Sequence, residues 1–421
     1  MSQIKRTELA EGVFFTAVKD SRFKTMKISA NIIAPLSGET ASANALLCGV
    51  LSRSTAAYPD FTALSKKLSS LYGADLNVSI RKSGDNQVLS ISASGLDDRY
   101  TLEDESVAKE LSLLLCGVLF DPNLSGGAFV SDDVEQERRQ LLDVIDSEFN
   151  DKRLYANGQM IRYMCENEVF GIKRYGTAER IKEATPRSLY ETWKNLLDTA
   201  VFEIIYIGDS SPEKAAEVFK DAFKSTKRTP VRVRTEIIRE SGEPKRIVEE
   251  MNVSQSKLVM GFRAGIAHPD KEVPAAILMC AILGGTAHSK LFCNVREKQS
   301  LCYYCASYYD KIKGLIIVDS GVEGENVEKL EKGILKEIDD MKNGLISDFE
   351  VEATKMAIIN IYRSSNDTVS GIESWYSNQI LGDGFKSIEE MSQIINAVTK
   401  EEVVAAANKM TLDTVFVLKN K

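Results

Sequence analysis

Histidine is nearly absent from this chain. Its 421 residues hold only His268 and His288. Two imidazoles therefore cannot stand one helical turn apart anywhere, and no helix can present a His-His metal pair. Cysteine is sparse as well: seven residues, scattered singly except for Cys302-x-x-Cys305. With no second such pair, that motif cannot complete a four-ligand zinc site. On a strand, residues three apart face opposite sides, so the two thiols are expected to be structural. An odd cysteine count, and no apolar leader in MSQIKRTELAEGVFF at the start of the chain, lead us to expect reduced thiols in a cytoplasm. Long hydrophobic runs are missing too. The longest, LSLLLCGVLF from Leu111 to Phe120, is about half of the ~20 residues a membrane span needs, and it reads as one buried helix. Positive charge is in deficit, 53 Lys and Arg against 61 Asp and Glu for a net −8, which argues against a nucleic-acid partner. P-loop, GxGxxG and GxSxG elements are also absent, and Gly126-Gly127 and Gly284-Gly285 read as turns.

What the chain does have is a core and a repeat. Hydrophobic residues make up 43% and charged residues 27%, the balance of a globular protein, and the length suggests two or three domains of roughly 100–200 residues. KISANIIAPLSGETASANALLCGVLS, from Lys27, runs strand, loop with Pro35, apolar helix. KLVMGFRAGIAHPDKEVPAAILMCAILGG, from Lys257, repeats that order with Pro269 in the loop. The match continues between Leu64–Asp98 and Leu291–Glu325, each a helix, two strands with a charged hairpin, then Ser-Gly and acids. Next, Ser131-Asp132 and Ser347-Asp348 each introduce a long helix, and Thr185-Pro186 and Thr399-Lys400 each open a later one. Leu197-Asp198-Thr199 and Leu412-Asp413-Thr414 each lead into a last strand. A period this long is a duplicated domain and not a solenoid unit. The expected organisation is a first domain over 1–223, a linker over 224–244 and a second domain over 245–421. Each is an α+β layer of helices on a mostly antiparallel sheet. Basic residues crowd the linker around Pro230, Gly242 and Pro244, and we read it as a solvated connection before a docking strip.

The stretch Leu283–Tyr304, LGGTAHSKLFCNVREKQSLCYY, organises the second copy. Ser289, Leu291, Phe292, Val295 and Leu301 give a helical segment an apolar face, Arg296 falls in its last turn, and Tyr303 opens a strand. An Arg at a helix C-terminus is ordinary dipole compensation, and a Tyr at a strand start is ordinary packing. The pattern GG-x-x-x-S-x-L-F-x-x-V-R-E-K-x-x-L-x-Y, however, resembles the C-terminal half of the M16 peptidases, the pitrilysin, insulin-degrading and mitochondrial-processing type. Leu71-Tyr72-Gly73-Ala74, Phe120-Asp121-Pro122, Glu137-Arg138 and Tyr175-Gly176-Thr177 through Trp193 fall in that family's order. Departures occur at Ser300 and Cys302, where Gly and Ala are usual.

That resemblance implies a LuxS/MPP-like metallohydrolase fold, and Arg296 and Tyr303 as substrate-binding residues that reach toward a peptide held over zinc. It also implies an inverted HxxEH on the first apolar helix with a third Glu on the long helix. Here Ala45 and Gly49 stand for the histidines, Cys48 for the base and Val144 for the third ligand. Losing the metal site while keeping the Arg/Tyr pair resembles the non-catalytic subunit of a bacterial M16 heterodimer. No cofactor is then expected in this chain, zinc and HxxEH belong to a partner subunit, and the substrate is a peptide. Relatives of this type imply other readings: a structural protein of peptidase descent, or an accessory factor linked to elongation factor P modification. A further possibility is an independent enzyme using a thiol such as Cys48 or Cys302, for which no suitably placed His exists.

Overall fold

The computed structural model describes residues 3–103, 105–224, 226–382 and 384–421; Ser225 of the linker lies outside them. Backbone contacts divide the chain into two compact units. One comprises Met1–Ile145, Ile172–Arg234 and Ser365–Ile380, the other Asp146–Gly171, Thr235–Ser364 and Leu381–Lys421.

In the first unit, β1 (Gln3–Ala10), β2 (Val13–Lys19), β3 (Thr25–Pro35), β4 (Asp75–Ser83), β5 (Asn86–Leu96) and β8 (Val201–Gly208) form one sheet in the order β1-β2-β8-β3-β5-β4. A two-stranded hairpin of β6 (Leu124–Ser125) and β7 (Ala128–Phe129) stands apart from it. In the second unit, β9 (Lys245–Met251), β10 (Ser256–Arg263), β11 (Tyr304–Asp310), β12 (Leu315–Val322) and β13 (Thr411–Asn420) pair in the order β11-β12-β10-β13-β9. Reading the first sheet as β4-β5-β3-β8-β2 gives the same order, copy for copy. In each, one pair is parallel, β2 with β8 and β9 with β13, and the others are antiparallel. The repeat seen in the sequence is thus a repeat of topology, with β1 as an extra edge strand on the first copy. Thr185 and Thr399 close capping boxes at the helices they were expected to open. The apolar run is the helix Val107–Phe120, with Leu111, Leu114, Leu115, Val118 and Leu119 buried. None of the helices in the described residues is long and apolar enough to cross a membrane.

One feature departs from a division at 1–223 and 245–421. Helix Lys152–Met164, from the first copy, packs on β10 and β13, and helix Val369–Ser377, from the second copy, packs on β3 and β8. The strands ask for this. Alternating residues of an antiparallel strand face opposite sides, and β8 and β10 are buried along nearly their whole length, so both faces need cover. In the second unit Leu258, Met260 and Phe262 enter the main core, while Val259, Phe416 and Leu418 meet Ala156, Met160 and Met164 of the exchanged helix. The approach is close at Gly261, where a Cβ would stand 2.5 Å from Met160 Sδ and 2.7 Å from Met164 Sδ. Beneath the helix lies a buried ion cluster. Glu168 Oε1 accepts from Arg263 Nη2 at 2.7 Å, its Oε2 lies 2.8 Å from Lys313 Nζ, and Arg263 Nε donates to Asp413 at 2.7 Å. In the first unit the exchanged helix is tied by polar contacts: Ser29 donates to Glu373 at 2.8 Å, and Arg81 Nη2 donates to the Ser377 carbonyl at 2.9 Å.

Most described residues of the linker are exposed, and one is an anchor. Arg228 is buried, its guanidinium 4.7 Å from the Phe202 ring centre and 5.2 Å from that of Phe223, and it donates to the carbonyls of Glu11, Leu197 and Ala200. Arg239 pairs with Asp270. Beyond the linker's end, Lys245 pairs with Glu166 and Arg246 with Glu331. Of the linker's cations, Arg228 and Arg239 thus serve the fold internally.

Candidate functional site

The helix Ala41–Leu51 is apolar nearly all round, so it is buried on every side. Ala45, Cys48 and Gly49 lie inside it with no donor able to hold a metal ion. Burial, and secondarily the Glu137 carboxylate, pushes the Cys48 thiol up to about 12, so it is neither a thiolate ligand nor a nucleophile near neutrality. Val144, at the third-ligand position, is a partly exposed apolar side chain. The space beside Gly49 is taken, since any Cβ there would collide with the Glu137 carboxylate. Arg53 holds that carboxylate at 2.9 Å, reaches Asp133 at 3.4 Å and also bonds Gln136, while Ser54 donates to Asp133 at 2.8 Å. An internal ion cluster occupies this place, and zinc does not fit these residues. Purified chain is therefore expected to hold no stoichiometric zinc after dialysis against a weak chelator. Metal analysis finding about one zinc per chain would contradict this.

The second candidate is the corner between helix Leu291–Lys298, wound in wide π-type turns, and β11. Leu291 and Val295 are fully buried and fix the helix to the core of the second unit. The chain then reverses through Ser300, whose φ is +52°, with Leu301 N donating to the Val295 carbonyl at 3.3 Å. Tyr303 N donates to the Gly321 carbonyl at 2.9 Å, which registers the corner against β12 just before β11 begins. The left-handed backbone at residue 300 explains why glycine is the usual residue there. Ser300→Gly should raise stability by about 0.5–1 kcal/mol in a denaturant titration, whereas Ser300→Val should lower it.

Arg296 and Tyr303 stand at the two ends of this corner but are not hydrogen-bonded to each other. The Arg296 guanidinium lies 4.6 Å from the Phe292 ring centre and 3.6 Å from Glu297. Tyr303 is 53% exposed, and its phenol donates to Glu323 Oε1 at 2.6 Å. That hydrogen bond raises the phenol above its ordinary range, so it stays protonated and remains a donor. Because β11 ends its sheet, the corner sits beside an outer strand edge. Glu323, which aims the phenol, was not singled out in the sequence. Its only signal is that it follows β12, the strand paired with the one Tyr303 introduces. The Arg53–Glu137 cluster left a signal, Glu137-Arg138 on the long helix, but nothing showed what would fill the emptied site.

Cys302 and Cys305 do not lie on one strand. Regular pairing starts only at Tyr304, so Cys302 lies in the turn before the strand that carries Cys305.

Comparison with known proteins agrees with these observations. The family model described as Peptidase M16 inactive domain matches residues 183–358. The probable inactive metalloprotease YmfF of Bacillus subtilis (strain 168) is 33% identical over 403 residues, covering 96% of this chain and 94% of that protein. Among solved structures, a conserved protein from Enterococcus faecalis V583 superposes with a TM-score of 0.92 at 27% identity, covering 100% of this chain and 99% of that one. A peptidase M16 inactive domain from Pseudomonas fluorescens does so at 0.80 and 19% identity, covering 100% and 98%, a likeness that shows the fold alone.

Proposed function

We propose, from the premise that this chain belongs to the M16 peptidase family as a member without a metal site, that it is the non-catalytic subunit of a heteromeric zinc peptidase. Its partner would carry HxxEH, and this chain would lend Arg296 and Tyr303 to the bound peptide. The observation that carries the reading is an asymmetry. Ala45, Cys48, Gly49 and Val144 offer no metal site, and Arg53 and Glu137 have closed over the place. Tyr303 nevertheless remains a half-exposed, protonated donor at a backbone corner fixed by buried neighbours.

When a peptide carbonyl is attacked in the partner's site, negative charge develops on its oxygen. A positioned phenol donates to that oxygen more strongly than to the ground state. A guanidinium can fork onto substrate carbonyls and fix the register of an extended peptide along a sheet edge. Both roles require this chain's corner to reach the substrate of another chain. On the same reading the complex is bacterial and cytoplasmic. Peptide hydrolysis should be absent from the purified chain alone and should exceed that of the HxxEH-bearing chain alone when the two are mixed. Equal activity with and without this chain would favour a purely structural role.

A further inference from the structure

The two copies of the duplicated domain differ at one sheet edge. In the first, β1 lies outside β2 and pairs antiparallel with it from Gln3 to Ala10. In the second, β9 holds the place of β2, and among the described residues no strand lies outside it. The first copy thus shows that this edge of the fold accepts an antiparallel strand. β9 is at the opposite end of its sheet from β11, and so lies away from the corner that carries Arg296 and Tyr303. The residues of β9 divide by face, as alternate residues of a strand must. Ile247 and Met251 pack with the helix Lys152–Met164, and Glu249 accepts hydrogen bonds from Tyr155 and Tyr163 of that helix at 2.9 and 3.2 Å. Arg246, Val248 and Glu250 belong to the other face, and all three are exposed, Val248 at 52%. Arg246 reaches Glu331 at 2.6 Å with 45% of its side chain still in solvent, and the Glu250 carboxylate has no partner among the described residues.

We propose that β9 pairs antiparallel with β9 of a second copy of this chain, about a two-fold axis at Val248, so that the sheet of one second unit continues into that of the other. The charge pattern carries this choice of occupant. Charge on an edge strand ordinarily deters pairing, and a row of one sign would repel its own copy. In KRIVEEM the basic residues Lys245 and Arg246 stand at one end and the acidic residues Glu249 and Glu250 toward the other, so reversing the strand's direction turns the row into its own complement. Centring the register on Val248 pairs all seven residues and keeps each face of the sheet with its own kind. Val248 then meets Val248 of the second copy, and Arg246 stands directly opposite Glu250 on the same face, once on each side of the axis. Glu250 gains the partner it lacks. Pairing of β9 with β1 of a second chain would fill the same edge, but it is heterologous and leaves a β1 edge and a β9 edge free at its two ends, whereas self-pairing closes at two chains. A dimer joined at β9 leaves the β11 edge of each chain open.

The test is sedimentation equilibrium of the purified full chain with no companion present, so its outcome stands apart from the proposed function. Wild-type chain should sediment with the mass of two chains. Arg246→Glu and Glu250→Arg should each weaken that dimer about tenfold or more, because each exchanges two attractive cross-strand pairs for two repulsive ones. The double variant Arg246→Glu with Glu250→Arg should dimerise again. An equimolar mixture of the two single variants should form a mixed dimer, since each then meets the opposite charge at both positions. Rescue cannot come from the internal pair of Arg246 with Glu331, which the double variant also lacks. Wild-type chain that stays monomeric at its highest soluble concentration, single variants that dimerise as tightly as wild type, or a mixture of the two that yields no mixed dimer would each overturn the proposal. The wild-type mass decides the matter even if a variant fails to fold: a monomer overturns it, and a dimer whose β9 amides exchange hydrogen as fast after association as in the dilute monomer overturns it too.

Discussion

Tyr303→Phe, reconstituted with the HxxEH-bearing partner, should lose about a hundred- to a thousandfold in peptide turnover, because removal of one donor aimed at a developing oxyanion costs ~2.7–4 kcal/mol. The loss should fall on kcat more than on KM, since the donor is used chiefly in the transition state. Melting and association should be unchanged, as the phenol is half exposed and its one partner, Glu323, is solvent-accessible. Arg296→Ala should instead raise KM, because a guanidinium on substrate carbonyls binds ground and transition states alike. If the corner only packs and compensates a helix end, Tyr303→Phe will hydrolyse peptide at the wild-type rate, and Arg296→Ala will cost stability of about a kcal/mol or less.

The largest expected effect on stability lies elsewhere, at Glu168. Its side chain is 4% exposed, between Arg263 at 3% and Lys313 at 0%. Glu168→Ala leaves Arg263 with the Asp413 carboxylate and takes from the buried Lys313 a carboxylate that its bond to the Glu236 carbonyl does not replace, and loss of one partner from such a cluster typically costs ~3–5 kcal/mol. Denaturant unfolding of the variant should show that loss, and a change under about 1 kcal/mol would contradict this description of the cluster. The pH dependence has a definite sign. Burial alone would raise the Glu168 carboxyl, but hydrogen bonds from Arg263 and Lys313 outweigh it and hold the group below its ordinary 4.5. A carboxyl depressed in the folded state contributes stability above its unfolded-state value and loses it as pH falls through the folded-state value. The gap between wild type and Glu168→Gln should therefore be widest near neutrality and narrow in acid.

Why the corner was legible in the sequence and the ion cluster was not follows from how each is encoded. Arg296 and Tyr303 are seven residues apart in one continuous pattern, and the helix, turn and strand between them are set by local spacing. The duplicated strand order was legible for the same reason, since each copy repeats its own strands, loops and caps in sequence. Glu168, Arg263, Lys313 and Asp413 come from four separate parts of the chain, and each alone reads as a surface charge. Helix exchange is similarly silent. Ala156, Met160 and Met164 form an apolar stripe that local spacing reveals, but a stripe does not say which of two sheets it will cover. The start of the strand after the corner was legible only to within a residue. β11 begins at Tyr304, one residue after the expected Tyr303, so Cys302 stands two residues before the strand and Cys305 lies on it.

The central claim is that this chain completes a peptidase whose metal site is in another protein. Purification of the natively expressed chain, with identification and metal analysis of whatever accompanies it, tests that claim most directly. The account predicts an M16-type companion of similar size bearing HxxEH, with zinc following the companion. Recovery of this chain only as a monomer or homodimer, or of zinc bound to this chain by itself, would contradict it.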